Sequence, residues 1–407
     1  MMWWGAFVIT VAPWFPAGAV AEQELPTALP AQGFVVRKQE DTLELPRADA
    51  ARLRRDALAR AILWQPPQER SELARLREQP DDFFGQKDEL VCKFRPGETS
   101  GATPKFECVF EGGELLKVKY GATPEIHTEV AATRLMRALG AGADRMYLVG
   151  RLRCFGCPDD PFAMLSCISS PFGERRRDCA PIYGVRKTSG KGHQVDVDYR
   201  RYVDFTNVAI ERKLAGRAIK AEGETGWGWD ELAELQTGKG RAERDALRLL
   251  AVFLNDWDNR AANQRLVCLE NGSRLADGGC HEPLAYMQDV GATFGFVGGE
   301  KSQRKLDVEG WRAAPIWKDM GRCLVSIRSP RLHGATFEEA EISEAGRQFL
   351  VARLARLSRS QIRDLFEGAR FDAYEDASPA SRSIDRWVSV FEHKVQAISE
   401  RPPCPTP

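Results

Sequence analysis

Residues 254–264 read LNDWDNRAANQ, and residues 288–295 read QDVGATFG. Asp258 and Asn263 follow an apolar run in the first stretch, and Asp289 follows another in the second. Acidic residues and asparagine are common in solvated turns, so a surface loop explains each stretch taken alone. The rest of the chain decides between that interpretation and a site for phosphate and metal.

The composition is that of a folded protein without a strong overall charge. Of the 407 residues, 43% are hydrophobic and 29% are charged, which is enough apolar chain for one large core or two smaller ones. Fifty-eight basic residues balance fifty-eight acidic ones. We therefore expect no nucleic-acid partner, and any anionic ligand has to be held by local groups.

The first 21 residues predict export. They contain no charged side chain and end in AVA, the small-x-small pattern of a signal-peptidase site, although the usual basic residue near the start is missing. An uncleaved membrane anchor over residues 3–21 is the alternative, but two prolines interrupt the apolar run. We expect a signal peptide over residues 1–21, a linker over 22–47, and a periplasmic or secreted protein.

The ten cysteines, an even number, fit an oxidising compartment. Three pairs flank turn-rich stretches, which favours local disulfide bonds, and a fourth would fix the proline-rich tail over residues 401–407. The sequence alone allows other pairings. In CFGC a disulfide or another pairing is favoured over half of a zinc site, because no second CxxC and no nearby histidine are present. The pairs in question are Cys92–Cys108, Cys167–Cys179, Cys268–Cys280 and Cys323–Cys404, with Cys154 and Cys157 in CFGC.

A predicted helical segment over residues 48–85 precedes a change of period. Three short runs, ELVCKFR, KFECVFE and ELLKVKYG, alternate in polarity and predict successive antiparallel strands. The next stretch, ATPEIHTEVAATRLMRALGAG, predicts a helix with Pro124 near its start and Gly140 at its end. DRMYLVGRL then returns to strand character. We place this small β-rich unit with one helix over residues 86–200.

The second half of the chain is predicted to be mainly helical. Residues 154–240 show no sustained period and are predicted to be irregular. AERDALRLLAVFLN, residues 242–255, is apolar around most of its circumference and marks a buried helix that leads into the opening stretch. SEAGRQFLVARLARLSRSQIRDLFEGARF and SIDRWVSVFEHKVQAIS also have helical periodicity. The second unit is therefore placed over residues 201–400, and the chain is predicted to be α+β.

Phosphoryl transfer from ATP needs four local groups: a lysine for the phosphates, a carboxylate that holds it, oxygen ligands for magnesium, and a carboxylate beside the incoming hydroxyl. The chain presents them in one linear order. Lys119 lies on the third strand and Glu129 on the following helix. Asp258 and Asn263 lie in the loop after the buried helix, and Asp289 lies in an Asp-x-Gly after the strand LAYMQ.

In order and local spacing, this pattern resembles the protein-kinase-like superfamily. KVKYG looks like the strand-three lysine motif, DNRAAN repeats the D-x-x-x-x-N interval of the catalytic loop, and DVG stands where DFG is expected. DNRAAN is closer to the D-R-H-x-x-N of lipid kinases and HipA-type kinases than to H-R-D. With a signal sequence and disulfides, the chain is most similar to atypical secretory-pathway kinases over roughly residues 90–370.

The resemblance implies a two-lobed kinase-like fold, with a small β-rich lobe and a larger mainly helical lobe. Asp258 would be the catalytic carboxylate, and Asn263 and Asp289 would bind Mg²⁺ or Mn²⁺. Lys119 would contact the phosphates of ATP and pair with Glu129. The protein would be an exported kinase that phosphorylates a hydroxyl of a protein or a small molecule.

The resemblance also implies functions for glycines. The turn around Gly97 and Gly101 would cover the nucleotide, although the standard G-x-G-x-x-G loop is absent. Gly291 would permit the sharp turn that brings Asp289 inward.

Three of these positions have a competitor on the same strand, helix or loop: Lys117 for Lys119, Glu125 for Glu129, and Asp256 for Asp258. Only Asp258 has an asparagine at the family interval. Fold does not fix chemistry, so AMP transfer on the same scaffold is an alternative function. A secreted pseudokinase or binding module, in which the polar loops have only a structural role, is another.

Overall fold

The computed structural model describes residues 25–29, 36, 41–45, 48–69, 73, 76–97, 101–169, 185–187, 193–221, 226–234, 239–270, 272–273, 275, 279–295, 306–327 and 339–405. The predicted signal peptide lies outside these residues. Helices and strands both occur throughout the described chain, which confirms the α+β class.

In the described part of the chain, the strands are β1 (Asp41–Glu44), β2 (Glu89–Arg95), β3 (Lys105–Phe110), β4 (Leu115–Lys119), β5 (Arg145–Phe155), β6 (Val185–Lys187), β7 (His193–Val195), β8 (Tyr202–Arg212), β9 (Gly216–Lys220), β10 (Gln264–Leu269), β11 (Leu284–Met287), β12 (Leu324–Ser326) and β13 (Glu339–Glu341). The α-helices are α1 (Ala50–Ala59), α2 (Glu125–Leu139), α3 (Pro161–Ser169), α4 (Lys239–Leu254), α5 (Val308–Ala313), α6 (Glu344–Leu354), α7 (Arg359–Gly368) and α8 (Ile384–Ser399).

Five strands close a barrel in the order β2, β3, β4, β8, β5. Alternate residues of β2 and β3 are buried inside it, as the period of two predicts. Helix α2 packs against β5 and β8 and ends at Gly140, whose left-handed φ of 85° suits a glycine. The barrel and this helix together position one wall of the site described below.

The barrel extends to Arg212, beyond the boundary predicted after residue 200. Strand β8 pairs antiparallel with both β4 and β5, so the prediction of an irregular stretch over residues 154–240 was wrong for this segment. Two polar residues, Thr206 and Asn207, interrupt its alternation, and Asn207 has a left-handed φ of 49°. The interruption hides the strand from a search for period-two patterns.

Two segments near the start of the chain also differ from expectation. Residues 41–44 of the predicted linker form β1, which pairs in parallel with β9. In the predicted helical segment 48–85, α1 ends at Ala59, and the prolines at positions 66 and 67 lack the N–H groups that a continuing helix needs.

The second part of the chain combines a four-stranded sheet with packed helices. The sheet has the order β1, β9, β10, β11. Helix α4 packs on α6, and α8 packs on α5, α6 and α7. The centre of this core is aromatic, with rings in contact at centroid distances of 4.9 Å for Phe371–Trp387 and 5.0 Å for Phe253–Phe391. None of the helices in the described ranges is long and apolar enough to cross a membrane.

Disulfide bonds join three of the predicted pairs and the two cysteines of CFGC. They are Cys92–Cys108, Cys154–Cys157, Cys268–Cys280 and Cys323–Cys404. Cys179 lies outside the described residues, so its pairing with Cys167 stays a prediction.

Candidate active site

Strand pairing brings the two opening stretches together. Strands β10 and β11 are antiparallel, with Gln264 opposite Met287, so the residues just outside that pair meet at one end of the hairpin. There the backbone N–H of Gln288 donates to the carbonyl of Asn263 at 2.8 Å. Asn263 and Asp289 therefore lie at the same end of the β10–β11 hairpin, although 26 positions separate them in the sequence.

The loop that contains Asp258 is closed by its own hydrogen bonds. Helix α4 ends before Asn255, which has a left-handed φ of 57°, and a 3-10 turn over Ala261–Asn263 leads into β10. The side-chain Nδ2 of Asn263 donates to the backbone carbonyl of Asp258 at 2.8 Å. This bond orients the amide of Asn263 and leaves its Oδ1 as an acceptor for another group.

Lys119 joins three elements at the centre of the site. Its Nζ lies 2.5 Å from Oε2 of Glu129 on α2 and 2.8 Å from Oδ1 of Asp289 after β11. Burial alone would lower the pKa of Lys119, whose side chain is 1% exposed, but Asp289 and Glu129 outweigh burial and raise that pKa well above its ordinary value. Lys119 in turn holds the pKa of Asp289 well below its usual range. The lysine and Asp289 are therefore a charged pair.

Glu129 differs from Asp289 because it is deeply buried. Burial raises the pKa of Glu129 to about 7, against the opposing effect of Lys119. The side chain of Asp289 is 44% exposed, so a ligand can reach this carboxylate, whereas Glu129 is not accessible to a ligand.

Two of the competing residues have other partners. The Nζ of Lys117 lies 2.8 Å from Oε2 of Glu211 on β8. Glu125 accepts a hydrogen bond from the hydroxyl of Thr103 and lies against Gly291. The geometry thus places Lys119 with Glu129, and gives Lys117 and Glu125 other partners.

The two aspartates of the loop have different surroundings. Asp256 is 2% exposed, its Oδ1 has no hydrogen-bond partner among the described residues, and burial raises its pKa well above the usual range. The side chain of Asp258 is 20% exposed. Burial raises the pKa of Asp258 to about 6, although Arg260, whose Nε lies 3.2 Å from its Oδ1, acts in the opposite direction. Asp258 is therefore the more accessible of the two carboxyl groups.

A cavity of about 560 Å³ opens beside these groups. Four of the predicted residues line it: Gly97, Gly101, Asn263 and Asp289. Lys119 does not line it and reaches the cavity wall only through its bond to Asp289. Four basic residues, Lys105, Lys117, Arg260 and Arg265, face two acidic ones, Glu107 and Asp289, in its lining. This excess of positive charge suits an anionic ligand.

Gly291 does not provide the sharp turn. Asp289 itself has the left-handed φ of 54°, whereas Gly291 does not have a positive φ. Gly291 is instead a point of close approach, because a Cβ at this position would lie 3.1 Å from Cγ of Glu125. The hydroxyl of Thr128 donates to the carbonyl of Gly291 at 2.6 Å and ties the turn to α2.

The oxygen atoms at this site fit a divalent cation. Asp289 and Asn263 supply carboxylate and amide oxygens, which Mg²⁺ and Mn²⁺ prefer. Oδ1 of Asp258 is buried and forms no hydrogen bond in the described part of the chain, although Nε of Arg260 lies 3.2 Å away as its ion-pair partner.

Three residues that organise the site were not among the predicted ones. Glu211 accepts from Lys117 and, at 3.2 Å, from Nε2 of Gln288, so it links β8 to the turn before Asp289. Thr128 ties α2 to the same turn, and Lys105 lines the cavity. Neither Glu211 nor the hydroxyl of Thr128 has a signal in a single sequence.

The chain has structural neighbours but no sequence match. No family model and no curated protein matches it. Among solved structures, the Helicobacter pylori proinflammatory kinase CtkA is similar at 10% identity and a TM-score of 0.38, over 77% of this chain and 95% of that one. A Golgi casein kinase with Mn/ADP bound is similar at 13% identity and a TM-score of 0.28, over 81% and 76%. TM-scores this low establish neither fold nor activity for this chain.

Proposed function

We propose that this protein is an exported, ATP- and divalent-metal-dependent kinase that transfers the γ-phosphate to a hydroxyl of a protein or small molecule. One observation carries the proposal: Nζ of Lys119 contacts both Glu129 and Asp289, and Asp289 lines the same cavity as Asn263. Protein kinases require both the lysine–glutamate pair and the metal-binding aspartate to be in place.

Each residue then has one task. Asp258 accepts the proton of the substrate hydroxyl while the oxygen of that hydroxyl bonds to the γ-phosphorus of ATP. The bond between the γ-phosphorus and the oxygen that leaves with ADP breaks. Lys119 supplies positive charge to the phosphates, and Glu129 and Asp289 hold it in position. Asn263 and Asp289 would hold the cation, which neutralises phosphate charge when bound. The barrel and the helical part of the chain correspond to the two kinase lobes.

Export is part of the proposal and rests on residues 1–21. Four disulfide bonds among the described residues are compatible with an oxidising compartment. We infer a protein or small-molecule substrate with a hydroxyl group, and no nucleic-acid partner, in keeping with the balanced charge of the chain.

The test uses the chain without residues 1–21, kept oxidised. Melting temperature is measured with ATP or ADP and Mg²⁺ or Mn²⁺, because a ligand that binds only the folded state stabilises it. Conversion of ATP to ADP and modification of the protein are followed by mass spectrometry. Asp289→Ala should abolish metal-dependent nucleotide binding, Asp258→Ala should abolish ADP formation while binding persists, and Asp198→Ala, on an exposed turn, should change neither.

The outcomes separate the alternatives. Addition of AMP, with release of pyrophosphate, would replace phosphotransfer by adenylylation. Failure of every nucleotide to stabilise the protein would favour a binding module without catalysis. Full activity of Asp258→Ala would remove that residue from the mechanism.

A further inference from the structure

Lys105 is a third lysine at the wall of the site, beside the two considered from the sequence. In the β3–β4 ladder it lies directly opposite Lys119, and Glu107 lies opposite Lys117. Residues paired across antiparallel strands point to the same face, so all four side chains project outward from the barrel. Lys105 and Lys117 line the cavity that also contains Asn263 and Asp289.

The three lysines differ in their counterions. Lys119 is paired with Glu129 and Asp289, and Lys117 is paired with Glu211. Within the described ranges, the Nζ of Lys105 has no hydrogen bond and no ion pair. Asp289 and Glu125 are the carboxylates whose charges act on Lys105, and each is already bonded, to Lys119 and to Thr103 respectively.

The position of Lys105 is unfavourable without a ligand. It is partly buried, and burial together with the neighbouring charge of Lys119 lowers its pKa. Gly101 approaches so closely that a Cβ there would lie 3.1 Å from its Nζ. A cation placed beside other cations, under a turn that approaches it closely, is stabilised when an anion enters the cavity.

We propose that Lys105 binds a phosphate of the nucleotide, in addition to Lys119, and that it selects nucleotides with at least two phosphates. The inference rests on the proposed function, because it concerns the same cavity. The charge of Lys119 is offset by two carboxylates, so the pair Lys119 and Asp289 alone offers little net attraction to a polyphosphate. Among the described residues no ion pair offsets the charge of Lys105, so this lysine can attract a polyphosphate without a G-x-G-x-x-G loop.

The experiment is calorimetric titration of the oxidised chain with ATP, ADP and AMP in the presence of Mg²⁺. Lys105→Ala and Lys105→Gln should weaken binding of ATP and ADP about tenfold or more, the range for a lost charge-assisted hydrogen bond, and that of AMP less than twofold. Lys105→Arg keeps the charge and should restore ATP binding to within about threefold of the native chain.

Lys93→Ala is the matched control. Lys93 is on the same outward face of the adjacent strand β2, but it lies over the ring of Tyr199 and does not line the cavity. The Lys93→Ala variant should bind ATP, ADP and AMP with the affinities of the native chain. Melting temperatures without nucleotide establish that all variants are folded.

Two failures are distinguishable. If the native chain binds neither ATP nor ADP, the proposed function is overturned, and the assignment of Lys105 with it. The second failure leaves the proposed function intact and overturns only the assignment of Lys105. In it the native chain binds ATP and ADP, but Lys105→Ala and Lys105→Gln either bind them with native affinity or lose affinity for ATP, ADP and AMP to the same extent.

Discussion

Asp289 Oδ1 accepts a hydrogen bond from Nζ of Lys119 at 2.8 Å, although 170 positions separate the two residues. The bond joins the barrel to the turn after β11 across the edge of the cavity. Because Lys119 also contacts Glu129, removal of the lysine leaves two carboxylates close together, one of them deeply buried.

Lys119→Met should therefore destabilise the protein as well as weaken nucleotide binding. Removal of one partner of a buried ion pair costs about 3 kcal/mol or more in the free energy of unfolding. Urea unfolding of Lys119→Met, Glu129→Gln and the double variant measures the change in the free energy of unfolding. The double variant should be more stable than Lys119→Met alone, because it no longer buries an unpaired carboxylate. Strictly additive losses would contradict the coupling.

The pH dependence of phosphotransfer should report Asp258. With its pKa at about 6, the carboxylate is ionised and able to accept a proton above that pH, so kcat/KM should fall as the pH drops through 6. Arg260 lowers this pKa, so Arg260→Ala should shift the acid limb to higher pH by roughly one unit. Arg312→Ala, on the exposed surface of α5, should leave the profile in place. A shift to lower pH in Arg260→Ala would contradict this assignment.

Thr128→Val tests the tie between α2 and the turn that contains Asp289. The substitution preserves shape but removes the donor to the carbonyl of Gly291, which should cost about 1 kcal/mol of stability and weaken binding of ATP with Mg²⁺ several-fold. Thr133→Val is the control on the same helix, since its hydroxyl bonds only to helix carbonyls of Glu129 and Val130. Equal effects of both substitutions on ATP affinity would show that the tie has no role in binding.

The disulfide bond that closes the longer loop should stabilise the chain more than the one that closes the shorter loop. Cys323–Cys404 spans 81 residues and Cys268–Cys280 spans 12. Restriction of the unfolded chain predicts contributions on the order of 4 and 3 kcal/mol. Urea unfolding of the two double Cys→Ser variants should give a larger loss for the longer loop, and the reverse order would indicate native-state strain or residual unfolded structure.

Local patterns were sufficient for most of the elements and for part of the site. The alternation of KFECVFE and ELLKVKYG, joined by a short glycine turn, even fixes which residues face each other: Glu111 to Gly113 form the turn, and Lys105 then falls opposite Lys119. Lys105 nevertheless has no functional signal in the sequence, because a lysine at the end of a strand is usually exposed to solvent and only the tertiary structure places it at the cavity.

Contacts between distant segments could not be predicted. Glu211 reaches Lys117 across 94 positions, and nothing in either local sequence states that β8 returns to pair with β4. The left-handed backbone conformation at Asp289 also has no clear signal in the sequence. Glycine is the usual residue in this conformation, so the turn is predicted at Gly291, but aspartate also tolerates it.

The distribution of the disulfide bonds has a consequence for motion. Cys92–Cys108 and Cys154–Cys157 join residues in or next to the barrel, while Cys268–Cys280 and Cys323–Cys404 join residues of the second part. None of these four bonds crosses the cavity between β3, β4 and the β10–β11 hairpin. These four bonds therefore restrict motion within each side of the cavity and leave the distance between the two sides unrestrained.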